Sequence, residues 1–156
     1  MENIIYFKVY VYGMKKYTNF IGQDTTGLDN YGKLQMILDS YAHKKLTAVV
    51  LSIQDRDSKA QSTIEHALCS MYENELDSVL HFDNSGYTDF FIKSPERLEE
   101  IALFLYSIIK KPIGCVVCNG YEDALDVQFK AGLAIEKAKE KGKKYHIYQP
   151  EDASLA

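Results

Sequence analysis

A chain of 156 residues, 46% of them hydrophobic, can bury one continuous core without disulfides or metal, so a single domain is expected over residues 1–150, with 151–156 as a fraying tail. Charged residues make up 26% of the chain with both signs mixed, and a net charge of -4 offers no broad attraction to nucleic acid or to an anionic membrane. No apolar run reaches bilayer-spanning length and the alternating N-terminus carries Lys8, unlike a signal peptide, so a cytoplasmic location with neither a membrane nor a nucleic-acid partner is expected.

Residues 4–12 alternate Tyr6, Tyr10 and Tyr12 with Phe7, Val9 and Val11, which predicts a first strand ending at Gly13. Residues 18–30 are dense in Gly, Asn, Asp and Thr and read as a long polar loop. Leu34, Ile37, Leu38 and Tyr41 then recur at helical spacing, and residues 48–53 form a short apolar run suited to a strand buried on both faces. An acidic loop at 54–57 leads to a helix with Ile64, Ala67, Leu68 and Met71 on its inner stripe, with Ser62 and Glu65 spaced as a capping box.

Residues 79–82 and 87–92 flank Asp83-Asn-Ser-Gly86, a composition suited to a hairpin turn. Ser94 and Pro95 supply the N-cap and first position of a helix whose inner stripe is Leu98, Ile101, Leu105 and Ile108, closed by Pro112. The run 113–118 predicts a buried strand. Residues 122–141 predict a long helix with Leu125, Phe129, Gly132 and Leu133 along one side, and residues 144–148 a closing strand. Strands alternating with helices point to a three-layer Rossmann-like α/β domain whose sheet is mostly parallel, interrupted by one antiparallel hairpin.

Cys69, Cys115 and Cys118 make an odd count without a secretory signal, so reduced thiols are expected. Cys115 and Cys118 have the spacing of a redox or zinc pair. On a strand, however, positions three apart face opposite ways, and His43, His66, His81 and His146 show no paired spacing, so no metal site is expected. Residues 22–27 lack the Lys-Ser/Thr ending of a P-loop and the three-glycine spacing of a dinucleotide fingerprint, so no nucleotide cofactor is expected.

Open α/β sheets bind ligands outside the carboxyl ends of their strands. Three polar loops follow predicted strands, at 22–27, 54–57 and 119–126. Their convergence would place the carboxylates of Asp24, Asp123 and Asp126 where they could stabilise a developing cation, with Tyr12, Gly22, Gln23, Thr25, Asp55, Asn119 and Gly120 supplying ligand contacts. The competing reading is that Asp57, Glu122 and Asp123 complement helix dipoles. Tyr12, Tyr17, Tyr31, Tyr87 and Tyr121 fall near predicted loops, where a ring could stack on a nucleobase or anchor a partner.

Cys118-Asn-Gly120, Asp123 or Asp126, Lys130-Ala-Gly-Leu-Ala134 and Gly142-Lys143 together resemble the C-terminal signature of the nucleoside 2-deoxyribosyltransferase-like group, over roughly the last forty residues. The resemblance implies a strand-end loop, a helix bearing the catalytic Glu in Glu-x-Gly-x-Ala, and a Gly-Lys turn. Aligning Gly132 and Ala134 puts Lys130, a candidate ligand contact, in place of the nucleophile, whereas a register through Gly132 and Ala134 onto Glu136 restores a carboxylate about four turns into the helix. The first register is preferred. The expected function is binding of a nucleoside, nucleotide or related sugar derivative, for which the resemblance implies N-glycosidase or deoxyribosyltransferase-like activity. The alternative is a non-catalytic interaction protein of the immunity or anti-defence type. A homo-oligomer whose site is completed by a second subunit is compatible with either reading.

Overall fold

The computed structural model describes residues 4–11, 14–19, 30–55, 64, 66–67, 70–72, 74–82 and 85–154. Strand β1 (Ile4–Val11) turns back into β2 (Met14–Asn19), and helix α1 (Asn30–His43) leads to β3 (Ala48–Gln54). Strands β4 (Leu76–Phe82) and β5 (Tyr87–Ile92) follow, then a single 3-10 turn (Pro95–Arg97) running into α2 (Leu98–Ile109). The chain closes with β6 (Ile113–Cys118), α3 (Ala124–Glu140), β7 (Tyr145–Ile147) and the short α4 (Pro150–Ser154).

The seven strands form one sheet in the order β2-β1-β4-β5-β3-β6-β7. Its pairing overturns the expectation of a mostly parallel sheet: every neighbouring pair is antiparallel except β6 with β7. The physical reason is that a strand covered by helices on both faces is apolar throughout whatever the direction of its neighbours. Residues 48–53 and 113–118 carried that signal, yet β3 runs antiparallel to both β5 and β6. The crossover β6-α3-β7 is the one parallel unit among the described residues, and the expected β4–β5 hairpin is present. The first hairpin was not anticipated, because Lys15, Lys16 and Tyr17 of β2 precede a segment rich in turn formers.

Helices cover both faces, as the three-layer reading required. On one face Val50, Leu80, Phe82, Phe91 and Val116 pack under Leu34, Ile37 and Leu38 of α1 and Val127 and Ala131 of α3. On the other, Val49, Leu51, Ile53, Phe90 and Ile92 pack against Leu98, Ile101 and Leu105 of α2 and against Ile64. Cys115 belongs to the second cluster and Cys118 to the first; both are free, as strand alternation demands. Burial pushes both thiols up, Cys118 to about 12, where the charge of Glu122 adds to the effect and Lys130 opposes it.

Two helical faces depart from the sequence reading. Met71 lies outward rather than on an inner stripe, and α3 buries Ala124, Val127, Gln128, Ala131, Ala134, Ile135 and Ala138 instead of Leu125 and Phe129. Small residues let α3 lie close on the sheet. A Cβ on Gly114 of β6 would fall 2.5 Å from the Ala131 carbonyl oxygen and 2.8 Å from Ile135 Cγ1. The tail beyond Pro150, expected to fray, is helical through Ser154, and Asp152 ties it to β7 through His146 Nε2 at 2.8 Å.

Candidate functional site

The antiparallel pairing decides which loops can meet. Because Ala48 of β3 pairs with Cys118 and Ser52 with Gly114, the carboxyl end of β3 lies beside the amino end of β6. Asp55 therefore contacts Lys111 at 3.1 Å, while Asn119 accepts from the Thr47 hydroxyl at 2.8 Å at the other end of the same strand. Gln54 and Asp55 thus lie at the opposite end of β3 from Asn119, and the rim expected to join them does not form; residues 56–57 of that loop lie outside the described residues. Tyr12, Gly22, Gln23, Asp24 and Thr25 lie outside the described residues, as does the rest of the 22–27 loop.

The other candidates do gather, at the start of α3. Asp123 is the N-cap, its carboxylate accepting from the Asp126 backbone N–H at 3.2 Å, and Asp126 is exposed in the first turn, the helix-capping arrangement that competed with catalysis. Gly120 holds φ at +103°, a conformation open to glycine, and faces open space. Lys130 is half-buried, 3.5 Å from Glu122 and 5.5 Å from the centre of the Tyr148 ring. Its charge holds the loop before α3 against the strand after it. Glu136, the carboxylate of the alternative register, is exposed and bonded to Lys139 at 3.3 Å.

Sequence reasoning passed over a fully buried acid in the middle of the sheet. Asp89 on central strand β5 is 0% exposed and sits in register opposite Ser52 of β3. Strand alternation turns Asp89, with Tyr87 and Phe91, toward α1 and α3, where Gln128 of α3 comes down onto it. Ser52 and Gln128 lie close enough to favour its charged form, yet neither they nor either Asp89 oxygen makes a well-formed hydrogen bond. Burial dominates and pushes the carboxyl up to about 7. The clue was present in Thr88-Asp-Phe-Phe-Ile92, an acid inside an otherwise apolar strand.

Above this trio lies a shallow hollow of about 350 Å³ between α1 and α3, lined by Tyr31, Tyr87, Gln128, Phe129 and the chain from Gly132 to Leu133. Each wall has a local cause. Tyr31 sits in the first turn of α1 with its ring 5.3 Å from that of Phe82, and Tyr87 opens β5 at the hairpin. Gly132 leaves room for Tyr87, since a Cβ there would lie 3.1 Å from its hydroxyl. Burial raises the Tyr87 hydroxyl, with Glu136, Asp89 and Tyr31 adding to the shift, so these groups share one electrostatic neighbourhood. Gln128, 6% exposed, joins hollow to trio. Tyr31 and Tyr87 are two of the five tyrosines singled out for stacking.

Phe129 and Leu125 stand 63% and 60% exposed on the outer wall. Large apolar side chains left in water on a helix beside a hollow are suited to contact with something else. A second hollow of about 500 Å³ runs beside β7, where the His146 ring is already bonded to Asp152. Among the described residues no group of His, Cys, Asp and Glu is arranged to hold a metal ion, and no helix is long and apolar enough to cross a membrane.

No protein-family model matches the chain, and no curated protein matches it by sequence. Among solved structures the chain is similar to a GGDEF domain of a Pseudomonas aeruginosa protein, at 13% identity and a TM-score of 0.54, over 76% of this chain and 93% of that one. At that identity the likeness concerns the fold, an α/β domain with a mixed sheet.

Proposed function

We propose that the chain is a binding module for a small, planar, nucleoside-derived ligand, received in the hollow between α1 and α3. One observation carries the reading: a buried, poorly bonded polar trio of Asp89, Ser52 and Gln128 reaches an aromatic hollow through a single amide. Buried polar groups without partners cost about 1–3 kcal/mol each, so a ligand edge that satisfied Gln128 would recover part of that cost. Tyr31, Tyr87 and Phe129 offer ring faces for a base. The volume falls within the range of small-molecule sites, roughly 300–1,000 Å³.

The reading is one of binding. Deoxyribosyl transfer would require a carboxylate nucleophile. Lys130 is held by Glu122 and Tyr148, and Glu136 is ion-paired at the surface. The GGDEF likeness lends a fold and no activity, and this chain nowhere contains the run Gly-Gly-Asp-Glu-Phe that the letters of that name spell.

Thermal denaturation with a panel of purine and pyrimidine nucleosides and nucleotides tests the proposal. A ligand at one hundred times its Kd adds about 2.7 kcal/mol, which raises Tm by about 5–10 °C for a domain of this size. A flat response across the panel at millimolar concentration overturns it. The exposure of Leu125, Phe129 and Tyr121 supports a second reading, a protein-binding face on α3. A flat nucleoside panel, together with loss of a co-purifying partner in F129S, would favour that reading.

A further inference from the structure

Resting on the binding reading above, we infer that Gln128 is the specificity-determining side chain of the hollow, and that the protonation state of Asp89 beneath it selects which end of the Gln128 amide faces the ligand. The argument begins with counting donors and acceptors. A neutral carboxyl has one O–H to donate; an ionised one only accepts. Both polar atoms of Gln128 are buried and lack a well-formed hydrogen bond, so neither end of the amide is committed elsewhere. When Asp89 is protonated, its O–H donates to Gln128 Oε1, and the Nε2 hydrogens turn toward the hollow. When Asp89 is ionised, it accepts from Nε2, and Oε1 faces the hollow instead. The Ser52 hydroxyl donates in either state, to the carbonyl oxygen of the acid or to the carboxylate.

The surroundings leave Asp89 as the controlling group. From β3 it meets Ser52, from β4 the apolar Leu80 in register, and from α3 Gln128. Tyr87 on its own strand, Tyr31 of α1 and Glu136 of α3 meet around the Tyr87 hydroxyl. Burial is the main influence on Asp89, with no cation beside it among the described residues, which brings its titration to about 7, where modest changes of pH repopulate the two states. The site would thus favour a ligand edge that accepts below that pH and one that donates above it.

Side-chain NMR on the full chain tests this directly. The Gln128 amide signals, assigned by their loss in Q128L, should shift with pH between 5.5 and 8.5 with the same midpoint as the Asp89 carboxyl carbon, and should be flat in D89N. Gln128 signals that stay flat while Asp89 titrates, or that still titrate in D89N, overturn the inference. Purine riboside, whose base edge only accepts, and inosine, whose N1–H donates, serve as probes. Their affinity ratio should change about tenfold from pH 6 to pH 8, the worth of one hydrogen bond. An unchanged ratio with both bound overturns the inference. If neither probe binds while the amide signals follow Asp89, the switch stands and the nucleoside reading falls.

Discussion

Replacing Asp89 with Asn should stabilise the protein, and by an amount that grows with pH. In the folded chain the Asp89 carboxyl titrates near 7 because burial penalises its charge, whereas in the unfolded chain it titrates near 3.8. Between those values the folded state holds a proton that the unfolded state has released, so stability falls as pH rises through this window and levels off above it. At about 1.4 kcal/mol for each step of one, the full penalty is about 4 kcal/mol above pH 7, of which roughly 1.5 kcal/mol is already present at pH 5. Asn keeps the shape and the burial but carries no charge. Urea unfolding of both proteins should therefore show D89N gaining about 2.5 kcal/mol on the parent between pH 5 and pH 8. A gap that stays constant within about 0.5 kcal/mol would refute the claim that an unpaired acid is buried beneath α3.

Gly114→Ala should cost about 1–3 kcal/mol, read by the same unfolding assay, because its Cβ would lie 2.5 Å from the Ala131 carbonyl oxygen and α3 must lift to admit it. Phe129→Ser should leave stability within about 0.5 kcal/mol, since the ring is 63% exposed, yet weaken ligand binding in calorimetric titration; a large loss of stability would mean the ring is packed. His146→Ala should accelerate hydrogen exchange across Tyr145–Ile147 and Pro150–Ser154 while the amides of β3 keep their protection. Burial acts against the Asp152 carboxylate, but the Gln149 N–H and the His146 ring hold it below its usual range, so this docking should also weaken as pH falls through that lowered value. Cys115 and Cys118 should resist iodoacetamide in the folded protein and react once urea unfolds it, as followed by peptide mass spectrometry.

Elements were legible in this sequence where a local signal dominated. Residues 87–92 and 113–118 were read to the residue because turn formers and Pro112 bound compact apolar runs. Strand direction was not legible. The apolar content of β3 and β6 reports two covered faces, and an antiparallel sheet roofed by helices supplies those as well as a parallel one does. The outward face of α3 was misread for a related reason. Hydrophobic spacing assigned Leu125 and Phe129 to the core, but close approach to Gly114 required alanines at the contact and turned the large side chains to the flank. Tyr31 and Tyr87, singled out from their places near predicted loops, both line the hollow between α1 and α3.

Strand direction also determines where a site can form. In a parallel sheet every strand delivers its following loop to the same rim, so acids after successive strands converge. Reversing alternate strands sends those loops to opposite ends, which is why Asp55 meets Lys111 while Asn119 meets Thr47. What an antiparallel arrangement gathers instead is side chains from the middle of adjacent strands, because residues in register share a face. Asp89 and Ser52 are such a pair, and only a helix laid across that face can reach both. The small residues of α3 permit that approach, Gln128 extends from it to the acid, and Gly132 admits the Tyr87 ring beside it. If the hollow binds as proposed, the site lies on the face of the sheet and not at its rim, and substitutions at Asp89 and Gln128 should alter binding more than substitutions at Asp55, Asp123 or Asp126. Equal losses of nucleoside affinity in D123N and Q128L would place the site back at the start of α3.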